Sequence, residues 1–234
     1  RNTALKLLCS MLGLASAYRI ESFDISNISG TDIVASMVVF LDGKPHKSDY
    51  RHFKVEGLAN QDDYASMHQV LTRRFKHYLA GDRGFENKPD LLLIDGGVTH
   101  AAVALDALGA LELDIPVFGM VKDDRHRTRA LVTPEGREVA IDSQQSVFSL
   151  IGNIQEQTHN FAITYHRDLR SKRLSYSTLD GIVGIGPKRK QILLQKFKSI
   201  KNIKAATLTE LERYLPADAA RAVYDHFHSS EEGE

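Results

Sequence analysis

The chain has 234 residues, with 30 Lys plus Arg against 30 Asp plus Glu, so its formal net charge is zero and no global field advertises a nucleic-acid partner. Hydrophobic content of 42% and charged content of 26% are ordinary for a globular protein, with length for one large domain or a medium one plus a small one. Cys9 is the single cysteine, which excludes an internal disulfide and any cysteine-built zinc or iron–sulfur site, and no apolar run is long enough to span a bilayer or is patterned as a signal peptide.

The chain starts at Arg1 rather than Met and reads as a fragment or a processed product. Residues 1–18, with Leu5, Leu7, Leu8, Met11, Leu12 and Leu14, predict a short apolar helix or linker. Arg19–Ser26 predicts a strand, with Ile20 alternating against Glu21 and Phe23 against Ser22. Ile33–Phe40 and Tyr50–Val55 predict two more, and the short connections favour an antiparallel meander. Asp24 then sits on an internal strand, where a carboxylate is costly unless it is hydrogen-bonded, paired or metal-bound. Two readings stay open for it: a metal or catalytic carboxylate, or a strand-end Asp bonding a turn over Ser26–Gly30.

An amphipathic run through Tyr64, Met67, Val70, Leu71, Phe75, Tyr78 and Leu79 predicts a helix, with Asn60 or Asp62 as N-cap and Gly81 past its end. Asp63 falls in its first turn, where an acidic residue complements the helix dipole or reaches a site as a third carboxylate. Leu91–Ile94 is an unbroken apolar run ending in Asp95-Gly96-Gly97, the pattern of a strand buried on both faces. A small-residue helix over 98–109 and a second buried strand, Ile115–Val121, follow. A hairpin over Ala130–Ile141 turns at Pro134-Glu135-Gly136, and helical spacing resumes from Ser143 to about Asp168.

The order of three strands, helix, strand, helix, strand, helix with a mixed sheet is that of an α/β ribonuclease H-like layout. It makes Asp24 and Asp95 ends of neighbouring strands, at the edge where open α/β sheets build their sites. Carboxylates held close repel unless a cation lies between them, and hard oxygen ligands suit Mg²⁺ or Mn²⁺, which assist phosphodiester hydrolysis. Asp95 has a competing reading as the cap of the next helix. Glu156 and His159 share a helix face, and His159 is either structural or a metal ligand or proton-transfer group.

Arg167–Ser177 is basic and Ser-rich without apolar period, and reads as a linker centred on 170–177. Between His166 and Lys204 eleven Lys or Arg face only Asp168 and Asp180, a formal +9 that suits a polyanion. A small all-α unit is expected over 178–228, with a tail at 229–234. It contains Gly184-Ile185-Gly186-Pro187-Lys188-Arg189-Lys190. The glycines permit a tight turn, Pro187 fits the first helical position, and the helix N-terminus offers N–H groups to a phosphate. Gly184, Gly186, Lys188, Arg189 and Lys190 are therefore the candidate DNA-binding residues; the competing reading is a plain Gly-rich turn with solvated cations.

Phe23-Asp24-Ile25-Ser26, Asp62-Asp63-Tyr64-Ala65, Leu93-Ile94-Asp95-Gly96-Gly97, Val121-Lys122-Asp123-Asp124-Arg125-His126, Thr158-His159-Asn160-Phe161 and Gly184–Arg189 occur in one order. Together they resemble the C-terminal half of the UvrC family of bacterial nucleotide-excision-repair incision subunits, over about residues 18–228. The resemblance implies a ribonuclease H-like endonuclease domain (19–169) followed by a tandem helix–hairpin–helix domain (178–228). It implies a divalent-metal-dependent incision on the 5′ side of a DNA lesion in the bacterial cytoplasm. By matching position, Asp24, Asp95 and His159 are the implied catalytic and metal-binding set, with Asp63 an additional acidic position and Mg²⁺ or Mn²⁺ the cofactor. Damaged duplex DNA and UvrB are the implied partners, with UvrA indirect, and no membrane is involved. The family's N-terminal GIY-YIG nuclease domain and UvrB-contacting segment are not in this sequence, so the chain alone is expected to lack the 3′ incision. Leu215–Ala220 lacks the usual glycine turn, so phosphate binding is expected of the first hairpin only. Two alternatives remain: a DNA-binding module on a non-catalytic nuclease-like scaffold, and a nucleotide-binding domain of the actin or sugar-kinase type.

Overall fold

The computed structural model describes residues 2–28, 32–57 and 62–229. The chain divides into two compact units, Arg1–Tyr165 and His166–Glu234. Among the described residues the first unit holds a mixed sheet of eight strands: β1 (Arg19–Ile28), β2 (Asp32–Leu41), β3 (Lys44–Pro45), β4 (Arg51–Lys54), β5 (Leu91–Ile94), β6 (Val117–Lys122), β7 (Thr128–Val132) and β8 (Glu138–Ala140). The order is β3-β2-β1-β5-β6-β7-β8, with β4 also beside β2. β1 and β2 are antiparallel, β1, β5 and β6 run parallel, and β7 and β8 close the other edge antiparallel. This is the ribonuclease H-like arrangement expected from the element order.

The sheet is covered on both faces, which explains why β2 and β5 are apolar without alternation. On one side Phe23, Met37, Val39, Leu92 and Ile94 pack with Met67, Val70, Leu71 and Phe75 of α2 (Asp63–Leu79) and with the alanines of α3 (Val98–Ala110). On the other, Ile20, Phe40, Leu91, Leu93 and Met120 meet Leu5, Leu8 and Leu12 of α1 (Thr3–Leu12) and Val147, Ile151 and Ile154 of α4 (Gln145–Thr178). The N-terminal stretch, read as a helix or linker, is therefore a helix built into this core, with Asn2 as its N-cap. α2 is capped by Asp62, whose carboxylate accepts from the Tyr64 and Ala65 N–H groups; Asn60 lies outside the described residues.

Period two fixes what faces what. Phe23 and Ile94 belong to the α2/α3 side, so Ser22, Asp24 and Asp95 belong to the α4 side. The Thr158 hydroxyl of α4 donates to Ser22 Oγ (3.0 Å), which seats the helix over β1. On the opposite face Glu21 is fully buried and receives Arg74 of α2 in a fork (Nε–Oε1 3.1 Å, Nη2–Oε2 2.8 Å) together with Arg19 Nε (2.9 Å). Arg74 also donates to the carbonyls of Phe85 and Asn87, so every charge in this clamp is answered.

Two local expectations change. Ser26, Asn27 and Ile28 continue β1 in register with Val34, Ile33 and Asp32, so they are strand and not the turn that Asp24 was to bond; Ser29 and Gly30 lie outside the described residues. The basic stretch expected as a linker at 170–177 is helical, as α4 runs on to Thr178. Its Arg, Lys and Leu are good helix formers, so an exposed helix needs no apolar stripe there.

In the second unit, α5 (Pro187–Phe197), α6 (Ile200–Ala205), α7 (Leu208–Glu212) and α8 (Ala217–His228) surround Leu179, Ile182, Ile185, Leu193, Ile203, Leu211 and Val223. Ser199 caps α6, and a reciprocal Thr207–Glu210 capping box opens α7. Among the described residues no helix is long and apolar enough to cross a membrane.

Candidate active site

β5 stops at Ile94 while β1 runs on to Ile28, so Asp24, expected at a strand end, lies within β1 beside the point where β5 stops. Phe23 pairs with Ile94 in the parallel register, and the Asp95 N–H donates to the Phe23 carbonyl (2.9 Å), so Asp95, just past β5, stands beside Asp24 of β1 on one face. Asp24 is largely removed from water, and its carboxyl is pushed up to about 7, first by desolvation and then by the Asp95 charge; Lys122 and the Ile25 N–H oppose the rise, and Asp63 adds to it. Asp63, exposed in the first turn of α2, is thus electrostatically felt at the same edge.

Lys122 ends β6, the third parallel strand, and its Nζ lies 2.5 Å from Asp95 Oδ1. Asp95 does not cap α3: the N-cap is Gly97, with no side-chain hydrogen bond, and the carboxylate turns to Lys122 instead. The close approach of the Asp95-Gly96-Gly97 turn to β6 depends on Gly119. A Cβ there would stand 2.6 Å from the Gly96 carbonyl oxygen and 2.9 Å from that of Gly97, both backbone atoms that cannot swing aside.

One further polar atom borders the pair. Ser36 lies directly across β2 from Asp24, and its Oγ is buried without a hydrogen-bond partner. Two carboxylates on adjacent strands, with an ammonium already drawn to one of them, are a donor set that fits a hard divalent cation. His159 lies on the exposed side of α4, next to Thr158, and lines the same cleft as Asp95. Among the described residues no group of three His, Cys, Asp or Glu is arranged to hold a metal ion. Asp24 and Asp95 are therefore brought together, Asp63 is near enough to bias Asp24, and His159 shares the cleft without completing a three-ligand group.

The cleft, of about 650 Å³, runs from Asp95 and Lys122 along α4, whose Gln145, Phe148, Gly152, Glu156 and His159 line it at helical spacing. Lys122 and, in this wall, Gln145, Phe148 and Gly152 were not assigned a role from the sequence. The available signal for Lys122 was its place just past the buried run 115–121, equivalent to that of Asp95 past its own strand.

In the second unit Gly184 takes φ +84°, which a side chain rarely adopts, and Pro187 stands at the start of α5 after Gly186. Arg189 Nη1 donates to the Gly184 carbonyl (2.6 Å), and Lys190 pairs with Asp180. Two of the three candidate cations thus hold the turn as well as charging it. At Leu215–Ala220 the last helix opens at Pro216 with no side-chain cap.

The strand order and the acidic edge define a ribonuclease H-like nuclease domain. The chain belongs to the UvrC RNase H endonuclease domain family, whose pattern matches residues 10–163. It is 50% identical over 230 residues to the UvrABC system protein C of Desulfitobacterium hafniense and 46% identical over 234 residues to that of a Thermoanaerobacter species. These alignments take in 98% and 94% of this chain but 37% and 38% of the relatives, so the chain spans little more than a third of their length. Among solved structures, human ENDOV overlaps 68% of this chain and 87% of its own at 13% identity, with a TM-score of 0.39.

Proposed function

We propose that this chain is the metal-dependent endonuclease part of a DNA excision-repair protein, hydrolysing a phosphodiester on the 5′ side of a lesion in the bacterial cytoplasm. The observation that carries the reading is the Asp24–Asp95 pair, where parallel β5 stops beside the middle of β1, with the Asp24 carboxyl raised by burial and by its neighbour. Asp24 and Asp95 would hold Mg²⁺ or Mn²⁺, which when bound supplies a hydroxide nucleophile at neutral pH and stabilises the departing 3′-oxygen. His159, which lines the same cleft as Asp95, serves as a further ligand or as the group that moves a proton at the attacking water or the leaving oxygen. Lys122 neutralises Asp95 and offers its ammonium to the phosphate as substrate enters. Asp63 adds negative charge at the rim. The products would be a 3′-hydroxyl and a 5′-phosphate.

The second unit would supply duplex affinity as tandem helix–hairpin–helix elements, through the α5 N-terminus with Gly184, Gly186, Lys188, Arg189 and Lys190. Recruitment to damage would come from UvrB-type and, indirectly, UvrA-type partners of the UvrABC system that names the relatives. A second reading, a DNA-binding module on a non-catalytic nuclease-like scaffold, draws on the lack of a three-ligand group among the described residues. The test is Mn²⁺ binding by calorimetry together with nicking of lesion-bearing duplex in the presence of the loading partners. Metal binding and nicking that are both lost in Asp95→Asn support the nuclease. Duplex binding with neither favours the scaffold.

A further inference from the structure

Gly152 lies in the interior of α4, about two turns from its start, where glycine destabilises a helix relative to alanine. A Cβ placed on it would meet no atom within 4 Å, so packing does not demand the glycine. What the missing side chain preserves is the cleft, because Gly152 is part of its wall. Beside it Phe148, half-buried, supplies an apolar face, and the Arg127 guanidinium lies over that ring at 5.5 Å from the centroid. The strand-connecting loop that carries Arg127 is fixed. Asp123 accepts from the Arg125 and Arg127 N–H groups and from Arg127 Nε, while Gln155 of α4 accepts from Thr128 and donates to the His126 carbonyl.

The cleft is therefore held open at one end of the carboxylate pair, with a flat aromatic–guanidinium wall, room beyond a side chain, and Lys122, His126 and Arg127 on its loop side. We infer that it receives one unstacked nucleotide of the cut strand, adjoining the scissile phosphate, with the base against Phe148 and its phosphate towards the loop cations. Aromatic and guanidinium planes hold bases without regard to their identity, and cations beside them take the backbone. The site would thus set where along the strand the phosphate reaches Asp24 and Asp95 while reading no sequence. This inference rests on the nuclease reading above.

The test uses the full chain and duplexes in which 5-iodouracil replaces thymine at successive positions of the cut strand. Irradiation followed by mass spectrometry of the adducts should find Phe148 cross-linked from one position or two adjacent ones. Gly152→Leu, which fills the cleft from a position with free space, should lower that adduct by about tenfold or more, the order expected for loss of one stacked base, while overall duplex binding by anisotropy persists. Adducts confined to the second unit, an undiminished Phe148 adduct in Gly152→Leu, or no duplex binding at low salt would each overturn the inference. Nicking with partners is read separately. Nicking without a Phe148 adduct sinks this site and leaves the nuclease standing; a Phe148 adduct without metal binding or nicking does the reverse.

Discussion

Replacing Asp24 with Asn should stabilise the metal-free protein, an unusual direction for a candidate catalytic residue and one that follows from the site's electrostatics. Burial and Asp95 push the Asp24 carboxyl from 3.8 to about 7. An acid whose proton is held more tightly in the folded state binds more protons folded than unfolded between those two values, so stability falls as pH rises through that window. The penalty is small near pH 4 and complete above pH 7. At about 1.4 kcal/mol per tenfold change in proton affinity its ceiling is about 4 kcal/mol. Residual solvent access and relaxation reduce the sum to roughly 2–3 kcal/mol. Asparagine keeps the shape and removes the charge, so its advantage over the parent should grow from near zero at pH 4 to this full value at pH 8. In a unit of this size that corresponds to roughly 4–12 °C in Tm. The assay is differential scanning calorimetry in EDTA across that pH range, following the transition of the larger unit. Equal Tm values for parent and variant at pH 8, or a variant that is less stable there, would refute the account of Asp24 as a carboxylate held at a cost.

Four further expectations concern other parts of the molecule. Arg74→Leu removes the fork on Glu21 and leaves a buried carboxylate with Arg19 alone, so chemical denaturation should report a loss of about 3–5 kcal/mol; an unchanged midpoint would mean that the clamp contributes nothing net. Gly119→Ala forces the Asp95–Gly97 turn away from β6, with an expected cost of about 1–3 kcal/mol and a fall in Mn²⁺ affinity by calorimetry; wild-type affinity would show that the turn's closeness does not position Asp95. Lys188→Ala should weaken duplex binding and lower the salt slope by about 0.9, the share of one phosphate contact, with Tm unaltered. Arg189→Ala should lower Tm as well, because its guanidinium also bonds the Gly184 carbonyl, and an unaltered Tm would confine that residue to charge alone.

Much of this architecture is legible in the residues because the signals are local. The extended run Arg19–Ser26, the unbroken apolar run before Asp95, the helical stripe from Tyr64 to Leu79 and the Gly-Pro start of α5 each state their own conformation within a few positions. The order of those elements then suffices to set β1 beside β5 and so Asp24 beside Asp95. The unbroken apolar run of β5 also predicts that this strand is covered on both faces. What needed the folded chain is whatever depends on contacts between distant residues. Whether Asp24 answers a turn or a neighbouring carboxylate is decided by the register that carries β1 on to Ile28. That Asp95 meets Lys122 instead of capping α3 is decided by how closely Gly119 lets β6 approach. Glu21 looks like a solvent-facing residue of an alternating strand, and only the position of Arg74 across 53 residues makes its burial tolerable. Local pattern specifies which face a side chain occupies, since that follows from bond geometry. What stands opposite that face is set by packing at long range, and the charges in this site take their chemistry from that opposite side.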